Sequence, residues 1–460
     1  MKRPAFSASK ALLPVGLLLV AFLLTACAAQ RGTVHSDSSA PADEPTKRDA
    51  YVIDRADYAD RLHGFWLGQS IANWTGLSTE MVKVAPPFFT DADWGKWVEP
   101  AIWGRFVPHT GRMDFFLPDA DKVWGSDDDT DIEYMYQHLL EKSDDLILSG
   151  AVIREGWLRH IYDDKNAPLS RNNFEPENYL WVSNQRAHDL MVQGMEPPQT
   201  STPENNRLSD MIDAQLTTEV FGLFAPSRPD IALRMAHLPV RVSAHGMAAH
   251  IAEFYIVMHA LAAIAPREMS LKDKTRWLAT QARTTLPEGG TAAAMFDFIW
   301  MQCHATADRD DWEQVRDMIY QRYQKTSHDG YIYKQGFDAG INFAASLVSL
   351  YFGEGDIKRT IRIGTLAGWD SDNPTATWGG LLGFMLGKQG VARAFGRDDL
   401  PIAYWIGRTR RNFPDRTPGQ YGEDSFPLMA ERGLTIIDRM VRQHGGQLMN
   451  GHWHMPPQRP

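Results

Sequence analysis

Apolar residues recur along this chain in blocks of helical length and period, and strand-like alternation is scarce. The blocks cover 57–75 ("DYADRLHGFWLGQSIANWT"), 208–224, 245–265, 290–304, 311–324, 336–352 and 374–387. This pattern predicts an all-α, multi-helix single domain over 51–445, followed by a frayed tail at 446–460 that ends in "NGHWHMPPQRP". The length leaves a two-domain split open, and no repeat of fixed period is visible. Small residues fall where helices can approach closely, at Gly64 and Gly68 and again at Gly379, Gly380, Gly383 and Gly387; the expectation is tight helix packing.

The amino terminus breaks the pattern. Lys2, Arg3 and Lys10 precede an apolar run from Ala11 to Leu24, which is too short to span a bilayer and is interrupted by Pro14. It closes on Leu24-Thr25-Ala26-Cys27, the form of a bacterial lipoprotein signal. Residues 1–26 read as a signal peptide, Cys27 as a lipidated first residue, and the polar, Ser- and Pro-rich stretch 27–50 as a flexible tether. The expected location is the cell envelope, lipid-anchored, with the outer membrane favoured because Ala28 follows the cysteine. Loss of the leader removes three cations and no acid, so the formal charge moves from −10 to −13, a surface that repels nucleic acid. With Cys27 lipidated, only Cys303 remains, so no internal disulfide can form and stability must come from the core.

One long stretch, 86–124, carries no helical period but contains Trp94, Trp97, Trp103 and Trp124. These aromatics either stack on a sugar or base or fill a small core of their own beneath the loop, and the pattern leaves both open. His245, His250 and His259 share a predicted helix without an accompanying carboxylate pattern and read as packing or lining residues.

The chemistry-bearing signal is acidic. "GSDDDTDIEY" (125–134) places Asp127, Asp128 and Asp129 together, and Thr130 with Glu133 matches a capping box that starts a helix near residue 131. "AGWDSDN" (367–373) places Asp370 and Asp372 before Asn373-Pro374, a cap followed by a residue suited to a first helical turn. Each turn delivers carboxylates to the start of a helix. If the two meet, five carboxylates and an amide face one another, and burial without cations is unfavourable. All-oxygen donors favour Mg²⁺, Mn²⁺ or Ca²⁺, and so many of them point to two ions.

These residues resemble the ADP-ribosylglycohydrolase family. Its early "GDALGxxxE"-like turn is matched by "GFWLGQSIANWTGLSTE", with Glu80 at the glutamate and Asn73 where an aspartate is usual. Its Thr-Asp-Asp-Thr element is matched by "DDDT" at 127–130, with Asp127 replacing the threonine. Its late Gly-Trp-Asp-Ser-Asp element is matched by "GWDSDN", with Asn373 where threonine is common. Segments 212–236 and 351–373 follow the family order, so the resemblance spans roughly 55–390, and the stretch 86–124 is longer than the family pattern. The resemblance implies an all-α orthogonal bundle around two Mg²⁺, Mn²⁺ being an alternative. It makes Asp127, Asp128, Asp129, Asp370, Asp372 and Asn373 metal ligands and Glu80 the gating, proton-transferring carboxylate. It implies hydrolysis at the anomeric carbon of a small-molecule or protein-linked ribosyl substrate. Two other readings stand beside it: an envelope glycosidase for another furanoside or N-glycoside, and a non-catalytic module that binds a nucleotide or glycan.

Overall fold

The computed structural model describes residues 50–98, 111–125, 127–163, 165–168, 176–420 and 422–456. Cys27, its signal peptide and tether, and Trp103 lie outside the described residues. Residues 48–460 cluster as one body. Its helices are α1 (Arg55–Gly76), α2 (Asp128–Lys142), α3 (Gly150–His160), α4 (Val182–Val192), α5 (Val220–Phe224), α6 (Pro229–Val240), α7 (Met247–Ala262), α8 (Leu271–Arg283), α9 (Thr291–Ala305), α10 (Trp312–Ile319), α11 (Ala339–Gly353), α12 (Ile357–Ala367), α13 (Asp372–Phe395) and α14 (Phe426–Gln443). Among the described residues, strand is confined to β1 (Tyr51–Asp54), β2 (Ala403–Tyr404), β3 (Asp424–Ser425), β4 (Gln447–Met449) and β5 (His452–Met455). The predicted all-α class is what the chain adopts. Among the described residues no helix is long and apolar enough to cross a membrane.

The central pair is α1 against α13, packed antiparallel. A Cβ at Gly64 would stand 2.3 Å from the Gly383 carbonyl oxygen, and one at Gly68 would stand 2.3 Å from that of Gly379. Both helices are therefore in backbone contact along a glycine seam, as the small-residue spacing predicted, and neither can slide without a clash. The left-handed backbone at Gly387 interrupts α13 where Asp60 closes on it. Tyr58 and Trp453 pack edge-on beside the seam, both buried.

Two sequence expectations are corrected. The block 208–224 is helical only at α5, and the rest is a chain of turns. Its polar side chains satisfy turn backbone: Thr217 Oγ1 donates to the Asp213 carbonyl at 3.0 Å and Thr218 Oγ1 to that of Ala214 at 2.6 Å. Nor are residues 447–456 of the carboxyl-terminal segment frayed. β5 pairs with both β1 and β4, and Trp453 and Met455 are fully buried, so apolar burial and a ladder with the first strand hold the tail in place. Of the three histidines, His245 precedes α7, while His259 is buried and held neutral, its pKa lowered by burial to about 4.

The seam generates a stability prediction. Gly383→Ala places a Cβ 2.2 Å from the Gly64 carbonyl oxygen. Overpacking of this kind costs about 1–3 kcal/mol, read as a lower urea midpoint at unchanged slope. A midpoint equal to wild type refutes the backbone contact.

Candidate metal centre

The seam ends at the site. A Cβ at Gly76, the last residue of α1, would lie 2.4 Å from Asp372 Cα at the start of α13. Beyond Gly76 the chain turns sharply: Thr79 Oγ1 donates to the Thr365 carbonyl at 2.5 Å and lies 2.9 Å from Ser371 Oγ. The Met81 amide donates to the Trp369 carbonyl and the Trp369 amide to that of Lys83, each at 2.8 Å. Trp369 sits at φ 59°, a conformation uncommon for a bulky residue, which points to a backbone held by its surroundings. Between these anchors Glu80 is buried beside Asp370, whose amide donates to Asn342 Oδ1 at 3.1 Å.

The other acidic turn is tied to α1 from the opposite side. Trp74 Nε1 donates to the Gly125 carbonyl at 2.6 Å, and Asn73 Nδ2 donates to Asp127 Oδ2 at 2.9 Å. α2 then begins at Asp128 with Asp127 as its N-cap, three residues earlier than the capping-box reading placed it. Glu133 does not fold back as a cap. It is buried and accepts from Gln69 Nε2 and the Val220 amide, both at 2.7 Å, because the core claims it first. Successive residues on a helix diverge by about 100°. Asp127 stands outside the helix in extended backbone and so can converge with Asp129, while Asp128 turns aside to Asn184 Nδ2 at 3.4 Å.

The two turns, remote in sequence, share one pocket. It is lined by seven carboxylates, those of Glu80, Asp127, Asp128, Asp129, Asp213, Asp370 and Asp372, together with Asn373, Trp181, Val182, Ile212 and Phe337. Glu80, Asp370 and Asp372 offer oxygens within 4.8 Å of one another, and so do Asp127, Asp129 and Asp372. Asp372 belongs to both groups. Asn373 Nδ2 reaches Asp129 Oδ2 at 3.4 Å, bridging the acidic turns directly.

Burial drives the electrostatics. It raises the pKa of Asp127, and of Asp128 and Asp129 well above the carboxylate range, where the neighbouring Asp127 and Asp128 respectively add to it. Asp370 is pushed well above that range by burial and by Asp372, and Asp372 to about 8 by burial and Asp127. Buried Arg410 works in the other direction on Asp128. Asp127 Oδ1 and Asp372 Oδ1 are buried oxygens with no hydrogen-bond partner among the described residues. Hard, mutually repelling oxygens in two triads, those of Asp127 Oδ1 and Asp372 Oδ1 without a partner, fit divalent cations such as Mg²⁺ or Mn²⁺, which would be held by Glu80, Asp370 and Asp372 and by Asp127, Asp129 and Asp372.

Trp94, Trp97 and Trp124, the described tryptophans among those named from sequence, lie elsewhere. Trp124 is buried, and its Nε1 donates to the Pro401 carbonyl at 2.7 Å, which makes it a core residue. Trp94 packs edge-on against Phe115, and Trp97 is 73% exposed; neither lines the pocket. Aromatic walls come instead from Trp181 and Phe337. Asp213 was also missed; its carboxylate accepts from Ser183 Oγ at 2.7 Å and from the Asn184 amide at 3.1 Å, and burial raises its pKa to about 6. The acidic second letter of "IDAQLTTE" (212–219) is its only signal. Arg410 stood in the run "RTRR" at 408–411 with nothing to show that it is buried.

A pH dependence follows for the protein stripped of divalent cations. Asp372, Asp131 and Glu133 titrate at about 8 in the fold, raised first by burial, against about 4 in an unfolded chain. Groups with raised folded pKa values lend stability below the unfolded value and withdraw it as pH rises through the folded one. Thermal midpoints in EDTA should therefore fall from pH 6.5 to 8.5, and Mg²⁺ should flatten the slope. A flat EDTA profile refutes the burial of these acids.

Comparison with known proteins agrees with this architecture. A family model described as ADP-ribosylglycohydrolase matches residues 54–420. A solved structure titled "ADP-ribosylglycohydrolase-related protein complex" is 14% identical with a TM-score of 0.47, covering 84% of this chain and 99% of its own. Comparison with curated proteins gives no match. The matched region runs from the N-cap of α1 past α13 and so contains both acidic turns and the glycine seam between them: this chain belongs to the ADP-ribosylglycohydrolase family.

Proposed function

We propose that this protein is a divalent-cation-dependent hydrolase that cleaves the glycosidic bond at the anomeric carbon of an ADP-ribosyl or related ribosyl substrate. The observation that carries the reading is the convergence of the turns at 127–129 and 370–373 on two three-carboxylate groups joined through Asp372. When bound there, divalent cations supply Lewis-acid charge that orients a vicinal diol and lowers the pKa of water.

The chain's own groups do the rest. Trp181 and Phe337 offer apolar faces to a ribose or base at the pocket wall. Glu80, held between the Trp369 and Ser371 anchors, accepts the proton of the attacking water as its oxygen bonds to C1. The electron pair of the breaking bond leaves with the departing group. Positive charge that develops on the ribose ring meets the surrounding carboxylates, which stabilise it most as the bond breaks. Asp213 is pinned by Ser183 and Asn184, so its carboxylate presents a fixed acceptor to a sugar hydroxyl.

The leader that ends just before Cys27 supports a lipid-anchored envelope location, where the substrate is one met in that compartment rather than in the cytoplasm. That location favours a second substrate reading on the same site, another furanoside or N-glycoside of the envelope. Incubation with ADP-ribosylated protein and with envelope glycans, followed by chromatography of released sugar, separates the two; release from neither sinks the hydrolase assignment.

Three outcomes are expected. Asp370→Ala abolishes turnover and weakens Mg²⁺ binding, and a wild-type rate in that variant refutes the site. Glu80→Gln lowers kcat by a factor on the order of 10²–10⁴, the usual span for a general base. Cys27→Ser moves the protein from the membrane to the soluble fraction on cell fractionation; unchanged membrane association removes the anchor.

A further inference from the structure

Asn73 and Asp127 both depart from the family pattern stated above, and the structure puts them in contact. Asn73 occupies the last turn of α1, and its Nδ2 donates to Asp127 Oδ2 at 2.9 Å, both side chains being almost wholly buried. The pattern has an acid at the first position and a hydroxyl at the second; this chain has an amide at the first and the acid at the second. One negative charge has moved across a single hydrogen bond, and the charge of the pair is conserved.

The contact also decides where the Asp127 oxygens point. With Oδ2 engaged by Asn73, Oδ1 is left buried without a hydrogen-bond partner among the described residues, and Asp127 is one of the three acids grouped with Asp129 and Asp372. Asn73 itself cannot drift. Its helix is fixed by the glycine seam, and the neighbouring Trp74 clamps the Gly125 carbonyl at 2.6 Å, two residues before Asp127. An amide is the right group for this task. It donates to a carboxylate without adding charge, whereas a carboxylate at position 73 would face Asp127 at hydrogen-bond distance and could pair with it only by holding a proton between them.

We infer that Asn73 is the positioning residue of the second cation position: its amide holds Asp127 so that one carboxylate oxygen faces the ion shared with Asp129 and Asp372, and the acid can occupy only one side of the 73–127 pair. The inference rests on the cation-binding reading of the site but not on the substrate or the reaction.

The test is calorimetric titration of full-length protein, stripped with EDTA, with Mg²⁺ and with Mn²⁺, alongside thermal melts. Asn73→Asp should weaken at least one of the two binding steps by tenfold or more, and Asn73→Ala by a smaller factor. Combining Asn73→Asp with Asp127→Asn restores a donor facing an acceptor. That double variant should recover the melting midpoint lost in Asn73→Asp, with the two substitutions strongly non-additive. Should Asn73→Asp fail to fold, Asn73→Ala and the double variant still report. Unchanged affinity in Asn73→Asp and Asn73→Ala, or strict additivity in the cycle, overturns the inference alone. Absence of any divalent-cation binding by the wild-type protein overturns it together with the proposed function.

Discussion

Seven carboxylates held in one buried pocket are the constraint to which the rest of this structure answers. At an effective dielectric of about 20, two unit charges 4 Å apart repel by about 4 kcal/mol, and several such pairs crowd here. The fold meets this repulsion in three ways. It raises proton affinity through burial, it places Arg410 behind Asp128, and it arranges oxygens in two groups that suit divalent cations. Protons and any divalent cation bound there would compete for the same oxygens, which would make occupancy of the site and stability of the fold one linked equilibrium.

Such a pocket needs rigid walls, and the glycine seam supplies them. Backbone contact between α1 and α13 fixes the end of one helix against the start of the other, so that Glu80, Asp370 and Asp372 are set by main chain rather than by flexible side-chain packing. The same helix then reaches across to the other acidic turn through Asn73 and Trp74. α1 carries none of the carboxylates in the two three-acid groups, yet it touches the segments that carry all of them. That division separates the elements that bear charge from the element that locates it.

Departures from the family pattern look different in this light. Taken singly, an acid for a hydroxyl at Asp127 and an amide for an acid at Asn73 each disturb the local charge. Taken as a hydrogen-bonded pair they leave it unchanged. The change that remains is geometric, an acid contributed from the N-cap of α2 instead of from the last turn of α1.

Local pattern determined a good deal of this protein. Helical period gave most of the long helices, small-residue spacing gave the seam, and two acidic turns before helices marked the site residues Asp127 to Asp129 and Asp370 to Asn373, because each of these signals is carried by neighbours along the chain. Where side-chain burial decides, the pattern misled. Glu133 matches a cap but serves the core, Trp124, for which the pattern left ligand and core both open, is packed away, and the expected frayed tail forms a strand against β1. Only the folded chain could select Asp213, Trp181, Phe337 and Arg410, and only it could show that Asn73 faces Asp127. Each of these depends on contact between segments far apart in sequence, and a contact of that kind has no local periodicity or spacing by which to announce itself.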